Sequence, residues 1–430
     1  MKGIANKMNR ISKLLVATSM LTMASYSSVA FSQQIAIECP GYELPKTKLL
    51  GERSGKKLNS AYEVYLNEEL DERVRTTQAI EMLKEIEPKE GFDKAMIERF
   101  LGQLLISEEG RASEALKLLE TAAGREELND KEQAETLKLV GDLSMQEEKY
   151  QNAITWYDKW MKFTCKSDGD TWTRIAKAYI ELKRYDDTLK AADSAIAAYP
   201  EPNKNPYQLK IAAYHEIKDY VGAVRVAETL IELFPSEKLW WSQLGFFYML
   251  TEDFQKALST FELAYKQGFL SKKNEIRALV QLYAQNEVPI KSAQLQKKYM
   301  DEGLLDKKSN DLAQLANTLL QAREHKEAAK YFGEAATEAS DPDLFRKQGV
   351  MLMQVEDYRG AIAALTKALD TGAEPGKTHY SLMEANFYAG NYRQANVHAT
   401  EALKDPTLRR TTRAWVPYIK QKADNRGIKI

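Results

Sequence analysis

Residues 241–264 read WSQLGFFYMLTEDFQKALSTFELA. Trp241, Leu244, Gly245 and Tyr248 recur three or four residues apart, and after Asp253 and Phe254 the same spacing resumes with Ala257, Phe261 and Ala264. That is the period of two helix faces joined by a short turn. The small residues decide the geometry. Gly245, eighth in the first helix, and Ala257, at position twenty, let the two helices approach closely. Trp241, Tyr248 and Phe261, at positions four, eleven and twenty-four, are large enough to fill the space beside a neighbouring pair. One such hairpin leaves an apolar face wet, so the reading requires further copies.

The copies are present on both sides. The signature of a polar residue, an aromatic, two residues and Ala recurs as Lys149-Tyr150 with Ala153, Asp219-Tyr220 with Ala223, Asp357-Tyr358 with Ala361, and Asn391-Tyr392 with Ala395. Arg184-Tyr185 with Thr188, and looser units ending at Ser292 and Ala328, fill the intervals at a step of about 33 to 36 residues. Trp172, Ala176, Tyr179, Ala195 and Pro200 form another match, as do Tyr207, Tyr214, Ala223 and Pro235, and Leu315, Ala316, Ala328, Phe332 and Ala335. Thr188 and Ser292 replace the usual Ala and Pro289 the usual aromatic, which predicts a local change in rise or a poor repeat. Before Leu137 the pattern weakens to one degenerate unit through Leu101, Gly102, Leu105, Ala115, Leu119 and Ala122, and a second over Tyr62 to Ile86.

Over residues 61 to 407 the pattern resembles the tetratricopeptide-repeat family. The resemblance implies an all-α, right-handed superhelical solenoid of about nine to ten helix pairs, with a C-terminal capping helix and a concave groove that grips a protein or peptide. Five segments are expected: a signal peptide at 1–32, an N-terminal extension at 33–60, degenerate helical repeats at 61–136, the solenoid at 137–407 and a basic cap at 408–430. Thr411 to Ala423 is the expected final helix, with Pro417 a point where it could kink.

Composition narrows the function. The 430 residues carry 61 Lys and Arg against 62 Asp and Glu, so the broad positive field that nucleic-acid binders use is missing. Twelve Pro and 21 Gly are too few for a loop-rich β protein. Lys2, Lys7, Arg10 and Lys13 precede an apolar run from Leu14 to Ala24, and Ala30 and Ser32 fit a cleavage site, with Ser28 and Ala30 a second register and Met8 an alternative start. Polar interruptions make that run a poor membrane span, and no transmembrane segment is expected in the mature chain. The expected location is the periplasm. Losing the four leader cations takes the 61 basic residues to 57 against 62 acids, so a basic terminus beyond Lys404 sits on an acidic body, either simply solvated or a site for an anionic partner. Export favours one disulfide between Cys39 and Cys165, which would pin the N-terminal segment, with two separate thiols as the alternative.

No catalytic constellation emerges, and the chain is expected to be neither an enzyme nor a cofactor or metal binder. His215, His325, His379 and His398 fall in different units, and His215-Glu216 lacks the second His of a zinc motif. Gly51 to Lys57 and Gly372 to Thr378 imitate a phosphate loop but are one residue short between their glycines. Glu147-Glu148 and Asp186-Asp187 belong to helix-connecting turns. The functional expectation is the groove. Positions five, nine and twelve of the first helices nominate Thr173, Lys177, Gln208, Phe246, Met249, Arg277, Gln281, Arg346, Met353 and Phe387 as partner-binding residues. Phe246, Met249, Met353 and Phe387 would anchor apolar side chains, and Lys177, Arg277 and Arg346 would hold carboxylates; for Phe246 and Met249, packing against the next repeat is the competing reading. The chain is also similar in architecture to exported repeat proteins associated with TonB-type energy-transduction systems, which implies an accessory role in TonB-dependent uptake with TonB-system components as partners. An adaptor in envelope or cell-wall assembly is the alternative, and an enzyme with an unrecognised site the third.

Overall fold

A computed structural model describes residues 37–430; the expected leader lies outside them. The described residues hold twenty-one helices and no strand, in two compact units, one running to Leu233 and the other over Phe234–Ile430. The division falls inside the stretch expected to be one solenoid.

Unit 1 contains five antiparallel hairpins: α1 (Glu52–Leu66) with α2 (Glu72–Lys84), α3 (Phe92–Ile106) with α4 (Ala112–Gly124), α5 (Asp130–Gln146) with α6 (Tyr150–Thr164), α7 (Gly169–Glu181) with α8 (Tyr185–Ala198), and α9 (Lys204–Glu216) with α10 (Tyr220–Leu233). Unit 2 contains five more: α11 (Lys238–Leu250) with α12 (Phe254–Lys266), α13 (Lys273–Gln285) with α14 (Pro289–Asp301), α15 (Ser309–Gln321) with α16 (His325–Ala339), α17 (Pro342–Gln354) with α18 (Tyr358–Asp370), and α19 (Pro375–Tyr388) with α20 (Tyr392–Ala402). Helix α21 (Arg409–Asp424) follows. It runs unbroken through Pro417, and its Ile419 and Ala423 bury against the last hairpin. One boundary is corrected. Helix α1 begins at Glu52, within the expected 33–60 extension, because its buried residues are Ser54 and Ala61, too small to write an apolar stripe into the sequence.

The turn inside each hairpin explains the recurrent polar-aromatic pair. In the turns before α10, α12 and α18, Lys218, Glu252 and Glu356 adopt left-handed backbone (φ 61°, 60° and 62°). The next residue, Asp219, Asp253 or Asp357, donates its N–H five residues back to the carbonyl of Tyr214, Tyr248 or Leu352 at 2.9–3.0 Å, closing the first helix. Its carboxylate then accepts the N–H of Gly222, Lys256 or Gly360 at 2.9–3.1 Å, opening the second. The aromatic is the first residue of that helix. Gly390 occupies the left-handed position before α20 (φ 82°). Nothing but Arg426 lies within reach of an added Cβ there, so Gly390→Ala isolates the backbone cost. Urea unfolding of the variant is expected to show a loss of about 1 kcal/mol.

Between the helices of a pair, glycine meets a large side chain as the spacing predicts. A Cβ on Gly141, Gly245 or Gly349 would overlap Tyr157, Phe261 or Leu365 respectively. The departures from pattern are absorbed. Pro289 sits in the first turn of α14, where a missing N–H costs nothing, and the buried Ser292 hydroxyl donates to the Val280 carbonyl at 2.7 Å.

The segment before α1 runs backwards along unit 1. Glu38 N–H donates to the Thr164 carbonyl at 2.8 Å, and Cys39 and Cys165 form a disulfide with Cα atoms 4.9 Å apart. Further on, Tyr42 Oη donates to Asp130 at 2.7 Å, Lys48 N–H to Asn129 at 2.7 Å, and Gly51 N–H to Asp93 at 3.0 Å. The strap therefore meets the end of the third hairpin first and the start of the second last.

Candidate binding face

The first helix of each pair carries the nominated residues, which the two units present separately. In unit 1, Lys177 and Gln208 are exposed, with no hydrogen-bond or ion-pair partner among the described residues. Thr173 is already engaged: its hydroxyl donates to the Gly169 carbonyl at 2.8 Å and lies 3.2 Å from Tyr199 Oη. Burial, together with a 2.6 Å hydrogen bond to Asp170, pushes the Tyr199 phenol up to about 12.

In unit 2 the apolar nominees are mostly structural. Phe246 is half-buried with its ring edge-on to Phe261 at 5.1 Å, which favours packing over the groove reading. Met353 packs on the cluster of Ala361, Leu365, Leu382 and Ala385. Phe387 is corrected outright: it is 8% exposed and sits among Tyr392, Trp415 and Tyr418 at centroid separations of 5.0–5.6 Å, so the cap covers it. Met249 stays half-buried.

The cations are also less available than charge alone implies. Arg277 lies 3.1 Å from Asp311 and 3.5 Å from Asp306, carboxylates of this chain, and Lys273 pairs with Asp306 too. Arg277 therefore ties α13 to the start of the following hairpin, a correction to its expected role as a free carboxylate holder. Arg346 lies 3.6 Å from Asp343 one turn earlier, and its buried Nε has no hydrogen-bond acceptor. Gln281 and Asn317, both at position nine, are exposed on α13 and α15. Asn317 holds in α15 the place that Gln281 holds in α13, 36 residues on. Asp306 and Asp311 were missed, although their separations from Lys273 and Arg277, 33 and 34 residues, repeat the period.

Near the end of unit 2, burial raises the Glu384 carboxyl, partly opposed by a hydrogen bond from Tyr380. His379 and His398 approach with Nδ1 atoms 3.0 Å apart. Burial lowers both imidazoles, and for His398 the neighbouring His379 adds to the effect, while Glu401 opposes it. Folded values below the unfolded value mean that the folded state resists protonation, so stability is complete above the ordinary histidine range near 6.5 and falls as pH drops through it. Thermal melts are expected to move down on acidification from neutral pH, and His398→Gln is expected to flatten that dependence; an unchanged slope would remove the pair as its source.

Among the described residues no group of three or more His, Cys, Asp or Glu is placed to hold a metal, and no helix is long and apolar enough to cross a membrane.

Repeated hairpins with glycine at the close contact and a left-handed turn define an all-α helical-repeat protein. The family model described as Tetratricopeptide repeat matches residues 314–377, from α15 into α19. No curated protein matches the chain. Among solved structures it is similar to MamA from Desulfovibrio magneticus RS-1, with 24% identity over 40% of this chain and 94% of that one and a TM-score of 0.33. YrrB, described as a TPR protein with an unusual peptide-binding site, aligns at 20% identity over 46% of this chain and 99% of that one, TM-score 0.35. The C-terminal part of a TPR repeat-containing protein from Cytophaga hutchinsonii aligns at 16% identity over 56% and 98%, TM-score 0.37.

Proposed function

We propose that this chain is an exported, non-enzymatic scaffold that holds another polypeptide on the faces of its first helices. The observation that carries the reading is the row of exposed neutral amides, Gln281 and Asn317, on neighbouring first helices of unit 2. Amides offer both a donor and an acceptor to a peptide backbone without the desolvation cost of a buried charge. The internally neutralised Arg277 leaves that row without strong charge preference. Export is supported by the bridged cysteines, since disulfides persist in oxidising compartments.

Photo-crosslinkers at Gln281 and Asn317, compared with one at exposed Ser259 on α12, test the face directly in envelope extract. One discrete polypeptide adduct from the first two positions and none from Ser259 is the expected outcome. Adducts of equal yield from all three would remove the face as a site.

Within this reading an accessory place in TonB-dependent uptake rests on the leader, the early cysteine and the run of repeats. Deletion should then slow growth on scarce iron. Normal growth with intact transport would leave the envelope-assembly adaptor as the remaining role.

A further inference from the structure

The last twenty-two residues, 409–430, hold seven Lys or Arg and one Asp. Elsewhere the cations are widely paired, but from Arg409 onward no ion pair forms among the described residues. Lys422 and Arg426 face the rings of Tyr418 and Tyr392 at 5.4 and 5.3 Å. Arg409 donates from Nε to the Leu403 carbonyl, which leaves its charge uncompensated. Arg410, Arg413 and Lys420 are exposed, with no side-chain hydrogen-bond or ion-pair partner among the described residues.

These cations are ordered. At 3.6 residues per turn, Arg409, Arg413 and Lys420 fall on one line along α21 with Arg410 beside it and Asp424 one turn beyond Lys420, about 80° around the helix from the buried Thr412, Ile419 and Ala423. The line is about 17 Å long at 1.5 Å per residue, the span of about five residues of extended chain. Beside the cations, Thr411, Ala414, Pro417 and Tyr418 are the exposed residues of this stretch, and Ala414 and Pro417 lie nearest the line. Pro417 also lacks the N–H that would bond the Arg413 carbonyl, so an acceptor lies inside the basic row.

We propose that the solvent side of α21 is a docking surface for an acidic polypeptide segment, separate from the first-helix faces. Charge complementarity sets the sign of the partner. Its form follows from the row: a single line of cations matches carboxylates spaced along an extended chain, and a peptide also brings N–H donors for the Arg413 carbonyl. An anionic bilayer is recognised by bulky apolar side chains that insert beside the cations; the exposed large side chain of α21, Tyr418, lies on the opposite side of the helix from the line, with its ring against Phe387 and Lys422. The acidic body of the chain keeps this attraction local, because exposed charges more than about 10 Å away are screened at ordinary salt.

The test uses the full mature chain and three probes: a short labelled peptide of alternating Glu and Ala, its Gln counterpart, and phosphatidylglycerol vesicles. The Glu peptide is expected to bind at low ionic strength and to release as salt rises, while the Gln peptide does not bind. Arg409→Glu with Arg413→Glu and Lys420→Glu should weaken binding by roughly tenfold or more. Lys190→Glu, at an exposed position of α8 on the other unit, should leave it unchanged. If the reversed chain melts early, the corresponding triple Gln variant reads the same loss without repulsion. No binding of the Glu peptide, binding indifferent to the three substitutions, or capture by vesicles in place of peptide would each overturn the proposal.

Discussion

Cys165→Ser is expected to lower the stability of unit 1 by about 4–5 kcal/mol, the chain-entropy value for a closed loop of more than a hundred residues. The bond spans a sequence separation of 126 and fixes the strap at the end farthest along the chain from α1. Without it, the hydrogen bonds to Thr164, Asp130, Asn129 and Asp93 and the surface Glu38–Lys166 and Lys48–Glu127 ion pairs must hold the extended segment, each contributing only about 1 kcal/mol net or less. Urea unfolding followed with and without reductant checks this. Reductant should shift the wild-type midpoint and leave the variant where it is; a wild-type curve indifferent to reductant would show that the bridge does not stabilise unit 1.

Phe261→Ala should cost unit 2 about 3–5 kcal/mol. The ring is fully buried, lies over Gly245 and takes Phe246 edge-on, so truncation opens a cavity at the closest approach of α11 and α12. Gly245→Ala addresses the same contact from the other side: its Cβ would overlap the ring, and overpacking of this kind costs about 1–3 kcal/mol. In the double variant the added methyl enters the space the ring leaves, so its loss should be smaller than the sum of the two single losses. Strict additivity would show that the two residues do not share one space.

The fold was largely legible because the same physical constraint recurs in several hairpins. A glycine facing Phe261 or Leu365, and an Asp that closes one helix and caps the next, leave marks at fixed intervals. The first hairpin was harder to read: Ser54 and Ala61 pack by being small, which a search for large apolar residues passes over. The candidate site was half legible. Periodicity placed Lys177, Gln208 and Gln281 correctly on the exposed side of the first helices. It could not show that Arg277 is answered by Asp306 and Asp311, or that α21 comes down over Phe387, because both depend on what a neighbouring element brings.

The reversed course of the strap also fixes an order of events. Residue 39 leaves the ribosome long before residue 165, so its partner does not yet exist while the intervening hairpins are being made. Of the strap's attachments the covalent clasp is the last to become possible, after Asp93, Asn129 and Asp130 have been made, and it waits on both Cys165 and an oxidant.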